Sequence, residues 1–231
     1  MGPIRGILFD KDGVLFDFQK TWGAWTKGVI RDFAGGDAGL AADLADVLDF
    51  DARTGLFRPS SFVIAGTARE VADAIASVLP GRDRDSLFTE LKQRTARAPQ
   101  VEAAPLRATL LDLKARGLVL GVATNDTEAA ARANIAGADA VEVFDFIAGS
   151  DSGFGAKPEP GMLLAFAEAM RLPPDTLVMV GDSTHDMHAG RAAGFTCVAV
   201  LTGVANATDL APHADVVLPD ISALGPWLDR K

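Results

Sequence analysis

The chain is 231 residues long, with 22 basic against 31 acidic side chains and a net charge of −9. A composition of 48% hydrophobic and 23% charged residues is that of an ordinary globular protein, which excludes disordered, collagen-like and coiled-coil chains. The acidic balance speaks against nucleic acid and anionic membranes as partners, the lone Cys197 excludes an internal disulfide, and no uncharged stretch reaches the roughly 20 residues of a membrane span.

At the N-terminus, Met1-Gly2-Pro3-Ile4-Arg5 leads into an apolar run of only four residues before Asp10, which is not a signal-peptide pattern. A cytoplasmic protein is expected. Near-continuous apolar runs over 4–9, 118–123, 144–148, 177–180, 195–201 and 216–218 read as strands buried on both faces, as in a parallel sheet. Helical patterns alternate with them. Residues 106–116 put Leu106, Leu110 and Leu113 on one face, and 159–170 space Met162, Phe166 and Met170 by four. Such alternation predicts an α/β protein with a doubly wound, Rossmann-like parallel sheet.

Between Asp17 and about Pro99 the alternation stops and the pattern is mostly helical. Trp22, Trp25 and Val29 form one apolar stripe, and Leu40, Leu44 and Val47/Leu48 another. Thr67-Ala-Arg-Glu70 is a capping box opening a helix with Val71, Ile75 and Val78, and 81–98 adds a fourth candidate. A stretch this long cannot be a simple crossover. We read 18–98 as an inserted helical domain, hinged near Asp17–Phe18 and in the 98–105 linker, on a core of 1–17 and 99–231.

Ligands of open α/β sheets bind beyond the carboxyl ends of the strands. There the sequence offers Asp10-Lys11-Asp12-Gly13, Thr124-Asn125-Asp126, a loop leading to Lys157-Pro158, and Gly181-Asp182-Ser183-Thr184-His185-Asp186. Asp10 and Asp12, two apart in an extended segment, can face one reaction centre, one as nucleophile and the other as acid and then base. Asp182 and Asp186 lie one helical turn apart. Several carboxylate oxygens around one point favour a hard cation, Mg²⁺ rather than zinc. The Thr124 hydroxyl and the Lys157 charge suit an anionic phosphoryl group.

Plainer readings stand beside these. Asp12-Gly13 is a common turn pair, Thr124-Asn125 can cap a helix, Asp182 can be an N-cap, and Asp186 can be structural. Lys157 can be a solvated loop residue. Trp22 and Trp25 can pack inside the helical domain or line a cleft, and Arg58 can be solvated or meet a second anionic group of a substrate. His185 and His188 share a helix face but lack a third ligand for zinc. Cys197 reads as core.

Taken together and in order, Asp10-Lys-Asp12-Gly-Val-Leu, Thr124-Asn125, Lys157-Pro158 and Gly181-Asp182-Ser-Thr-His-Asp186 resemble the four motifs of the haloacid dehalogenase-like hydrolases. The helical insert resembles that family's helical (C1-type) cap, so the resemblance spans nearly the whole chain. It implies that Asp10 attacks phosphorus to give an aspartyl-phosphate and that Asp12 protonates the leaving oxygen, then deprotonates water. It also implies Mg²⁺ held by Asp10, the Asp12 carbonyl and Asp182, with Asp186 acting through water, and Thr124 and Lys157 on the phosphoryl oxygens. Thr124, Asn125, Lys157 and Arg58 are the expected substrate-binding residues. Two positions depart from the family pattern, Lys11 between the aspartates and Phe18 after Asp17; neither is expected to touch a catalytic group.

Expelling a halide needs no proton, whereas expelling an alkoxide does, so Asp12 favours phosphoryl chemistry over dehalogenation. The expected function is a Mg²⁺-dependent phosphatase for a small phosphorylated metabolite, similar to phosphoglycolate phosphatases, as a monomer or homodimer. The alternatives are a sugar-phosphate mutase resembling β-phosphoglucomutase and a non-catalytic binding protein on the same scaffold.

Overall fold

Successive side chains of a strand point to opposite faces, and both faces of the first strand are covered. In the computed structural model, Ile7 and Phe9 enter one apolar cluster and Leu8 enters another, all without solvent exposure. The structure describes residues 3–79 and 81–230; Met1 and Gly2 of the N-terminal segment considered above lie outside the described residues. In chain order the elements are β1 (Gly6–Phe9), α1 (Phe18–Ala34), α2 (Ala38–Val47), β2 (Phe50–Asp51), β3 (Leu56–Phe57), α3 (Ala68–Val78) and α4 (Arg84–Thr95). Then follow α5 (Leu106–Ala115), β4 (Val119–Ala123), α6 (Glu128–Gly137), β5 (Phe146–Ala148), α7 (Gly161–Met170), β6 (Leu177–Gly181) and α8 (Thr184–Ala193). The chain finishes with β7 (Thr196–Val200), α9 (Ala207–Leu210), β8 (Val216–Leu218) and α10 (Leu224–Leu228).

Six strands form one parallel sheet in the order β5-β4-β1-β6-β7-β8. The strand order reverses at β1, so the crevice of this doubly wound sheet lies beyond the carboxyl ends of β1, β4 and β6. On one face, α5 and α10 cover Ile7, Phe9, Val122, Val178 and Val180. On the other, Met162, Leu163 and Phe166 of α7 pack against Leu8, Leu177 and Met179. Cys197 is buried in β7, and burial pushes its thiol up to about 11.

The insert between β1 and α5 has its own apolar cluster, which includes Phe18, Trp22, Leu44, Phe57, Ile75 and Leu87. Asp17 caps α1 by accepting from Lys20 N at 3.0 Å. Thr67 and Glu70 form the expected capping box on α3. The insert is not wholly helical, however. Phe50–Asp51 and Leu56–Phe57 pair as a short antiparallel hairpin within a stretch whose pattern reads as mostly helical. Asp51 Oδ1 accepts from Arg53 N and Thr54 N, and Gly55 turns the chain with φ of 78°. Strands of two residues are too short to leave a period in the sequence. The two chain crossings lie side by side, with Asp17 N donating to Val101 O at 2.8 Å. Among the described residues no helix is long and apolar enough to cross a membrane.

Candidate active site

Three neighbouring strands end at one point. Asp10 follows β1, Thr124 follows β4 and Asp182 follows β6. Gly13, with φ of 79°, lets the chain turn away directly after Asp12, and a Cβ there would collide with the Asp182 carboxylate. The close approach of this turn to Asp182 therefore requires glycine.

Lys157 is the centre of the charge arrangement. Its Nζ lies 2.7 Å from Asp10 Oδ1 and 2.7 Å from Asp186 Oδ1. Burial alone would lower the lysine's proton affinity, but the two carboxylates outweigh it and hold the ammonium above its ordinary range. Burial pushes the Asp10 carboxyl up to about 7; Lys157 opposes this, while Asp186 and Asp12 add to it. Burial, then repulsion from Asp186 and Asp10, raises Asp182 well above the usual carboxylate range. Oxygens of Asp10, Asp182 and Asp186 lie within 4.8 Å of one another. Three carboxylates facing one ammonium leave excess negative charge, and an all-oxygen donor set fits a hard divalent cation.

The plainer readings of these residues can now be compared with geometry. The N-cap of α8 is Ser183, not Asp182. Asp186 is the third residue of that capping box, accepting from Ser183 N at 3.1 Å and Ser183 Oγ at 2.7 Å, and it meets Lys157 with its other oxygen. It is thus both structural and part of the cluster. The N-cap of α6 is Thr127, which leaves Thr124 buried on the cavity wall, its Oγ1 accepting from Asp126 N at 3.1 Å.

Two residues expected to bind substrate have their polar groups engaged by protein. Asn125 is a clamp on the cavity wall. Its Nδ2 donates to Lys157 O at 2.9 Å and Ala65 O at 2.7 Å, and its Oδ1 accepts from Lys157 N at 2.9 Å. The amide holds the lysine's backbone and a loop of the insert, so its polar atoms are taken up by protein. Arg58 is half-exposed and pairs with Asp49 Oδ1 at 2.8 Å, away from the cavity lining. Its own backbone N–H also donates to Asp49 O at 3.0 Å, which fixes the residue on the outer turn.

Lys11, expected to have no bearing on catalysis, contacts one of the candidate catalytic carboxylates. Its side chain is fully buried, and Nζ reaches Asp12 Oδ2 at 3.0 Å, Asn134 Oδ1 at 3.0 Å and Asp126 Oδ2 at 3.2 Å. Burial works against its charge, but Asp12 and Asp126 outweigh it and raise its pKa. From the insert, Trp22 Nε1 donates to Asp12 Oδ1 at 2.7 Å. Sequence reasoning placed Lys11 and Asp126 at strand ends and left Trp22 between packing and lining a cleft, but it missed that Lys11 and Trp22 both hold Asp12.

A cavity of about 100 Å³ opens over this cluster, lined by Asp10, Asp12, Thr124, Asn125 and Lys157 from the sheet side and by α1, α3 and α4 from the insert. His185 also faces it, whereas His188 stacks on His213 with ring centroids 5.0 Å apart; the pair does not form one metal site. A nucleophilic carboxylate, a second carboxyl beside it, a fixed ammonium and three carboxylates that could hold a cation, all at the carboxyl ends of neighbouring strands, can carry out phosphoryl transfer.

Residues 4–194 match the family of haloacid dehalogenase-like hydrolases. The chain is 34% identical over 173 residues to a phosphoglycolate phosphatase of Rhodospirillum rubrum, covering 71% of this chain and 72% of that protein. It is 35% identical over 122 residues to the phosphoglycolate phosphatase of Escherichia coli K12, covering 52% and 48%. In fold it resembles the crystal structure of a predicted phosphoglycolate phosphatase of Haemophilus somnus, with a TM-score of 0.76, 18% identity and coverage of 98% and 99%. The chain belongs to the haloacid dehalogenase-like hydrolases, and it is an enzyme of phosphatase type.

Proposed function

We propose that the protein is a Mg²⁺-dependent phosphomonoesterase that hydrolyses a small phosphorylated metabolite through an aspartyl-phosphate on Asp10, in the manner of the phosphoglycolate phosphatases it resembles. The observation that carries this reading is Lys157 Nζ, 2.7 Å from both Asp10 and Asp186, at the floor of a cavity that Asp12 also lines. The site residues are Asp10, Asp12, Thr124 and Lys157. Residues 18–98 act as the cap over a core of 1–17 and 99–231. The enzyme works in the cytoplasm as a monomer or homodimer, without nucleic acid or membrane as partner.

Lys157 and the Thr124 hydroxyl hold phosphoryl oxygens and orient phosphorus toward Asp10. An Asp10 oxygen forms a bond to phosphorus as the ester P–O bond breaks, and Asp12 gives a proton to the departing alkoxide. In the second half Asp12 takes a proton from water. The water oxygen bonds to phosphorus, and the Asp10 carboxylate leaves. Lys11 and Trp22 hold Asp12 in place through both halves. Asp10, the Asp12 carbonyl, Asp182 and Asp186 would hold Mg²⁺, which when bound supplies positive charge to the phosphoryl group. The insert closes the pocket to bulk water.

The test is phosphate release from a panel of phosphorylated metabolites with and without Mg²⁺, run beside Asp10→Asn. Metal-dependent release by the wild type and none by the variant is expected. Absence of release from every ester would refute the reading, and interconversion of sugar-phosphate isomers would be measured next.

A further inference from the structure

The cavity over Asp10 has two chemically different halves. Its floor carries the phosphoryl-handling groups. Its roof is built by Phe18, Trp22, Trp25, Phe57, Val71 and Leu91. Trp22 and Trp25 stand edge to face with centroids 5.4 Å apart, and Phe18 meets Phe57 at 5.4 Å. In this account the alcohol part of a bound ester sits in this half, above the phosphoryl group held at the floor.

The charges on the wall decide what that alcohol can be. Lys157 is engaged by Asp10 and Asp186 at the floor. Lys92, the lysine on the roof side, is tied to Asp151 Oδ2 at 2.9 Å. Arg58, which could have met a second anion, is held by Asp49 outside the lining. His185 stands on the core side, next to Ser183 and Asp186 at the start of α8. The remaining charged groups of the wall, Asp12 and Asp126, are carboxylates paired with Lys11. Among the described residues, then, the roof offers an anion no unpaired cation. A carboxylate on the leaving group would lose its hydration among aromatic rings with no cation to replace it. An apolar ring would meet rings and aliphatic side chains instead.

We infer that the roof selects phosphate esters of uncharged, predominantly apolar alcohols, aromatic or alicyclic, over esters whose alcohol carries a carboxylate or a second phosphate. This inference rests on the phosphomonoesterase reading above and narrows it. Trp25 is a specificity-determining residue in this account, since it shapes the roof and makes no contact with Asp10 or Asp12 in the hydrogen-bond network. A hydrophobic pocket discriminates by roughly 10- to 200-fold per methylene.

The experiment compares kcat/KM for benzyl phosphate, ethyl phosphate and phosphoglycolate with Mg²⁺ present, since all three expel an alkoxide. Benzyl phosphate is expected to exceed both others by at least about tenfold. Trp25→Ala is expected to reduce the benzyl-to-ethyl ratio by about tenfold. Phosphoglycolate equal to or better than benzyl phosphate would overturn the inference while leaving the phosphatase reading standing. Equal rates for benzyl and ethyl phosphate, or a ratio unmoved in Trp25→Ala, would also overturn it. No release from any of the three or from the wider panel would instead strike the phosphomonoesterase reading, and the inference with it.

Discussion

Trp22, on the first helix of the insert, donates its indole N–H to Asp12 Oδ1 at 2.7 Å, so a residue of the insert completes the surroundings of a carboxylate that follows β1. A hydrogen bond to a charged group is worth roughly 1.5–3 kcal/mol. Trp22→Phe keeps the ring and removes the donor. We expect kcat to fall by about tenfold or more, with helix content unchanged by circular dichroism. A kcat within twofold of the wild type would show that Lys11 alone positions Asp12.

Lys11, itself fully buried, separates two partly buried carboxylates, Asp12 and Asp126. Lys11→Met leaves both without their cation, and breaking a buried pair in this way costs about 3–5 kcal/mol. Adding Asp126→Asn removes one of the stranded charges and should recover a large part of the loss. Urea unfolding of the two variants measures this. Equal instability of the single and double variants would contradict the pairing.

Asp10 gives the metal-free protein a pH dependence of definite sign. Its carboxyl is pushed up to about 7 from 3.8, chiefly by burial. The folded state therefore holds a proton that the unfolded state has released, and stability from this group, full below the unfolded value, is lost as pH rises through about 7. Between pH 5.5 and 8 the metal-free wild type is expected to lose stability relative to Asp10→Asn, and Mg²⁺ should reduce that loss. Parallel stability curves for the two proteins would argue against the raised value.

Arg58 provides the opposite kind of test. It is bound to Asp49 and stands outside the cavity lining. Arg58→Ala should change kcat/KM by less than about twofold, as a surface substitution away from the site. A tenfold rise in KM would mean that Arg58 leaves Asp49 to meet the substrate.

What could be read from the sequence follows from where the information lies. Asp10, Thr124, Lys157 and Asp182 stand just after strands or in the loops between them, and apolar runs fix the strands, so their convergence follows from topology. Lys11 could not be read the same way. Its partner Asn134 is 123 residues away on α6, and only the folded chain brings the two together. The engagement of Asn125 and Arg58 by other residues was hidden for a related reason. Both are polar residues near the right place, but local partners take up their atoms: the Lys157 backbone for one, and Asp49, nine residues earlier, for the other. The cap helices showed through their caps and apolar stripes, whereas a hairpin of two-residue strands left no periodic trace.

The central claim is that Asp10 becomes covalently phosphorylated during turnover. The most direct measurement mixes enzyme, Mg²⁺ and a hydrolysed ester, quenches in acid within one turnover, and locates added mass by peptide mass spectrometry. One phosphoryl group on the peptide carrying Asp10, absent in Asp10→Asn, is the expected result. Phosphate release at full rate with no phosphorylated peptide at any quench time, or with the phosphoryl group on another residue, would contradict the account.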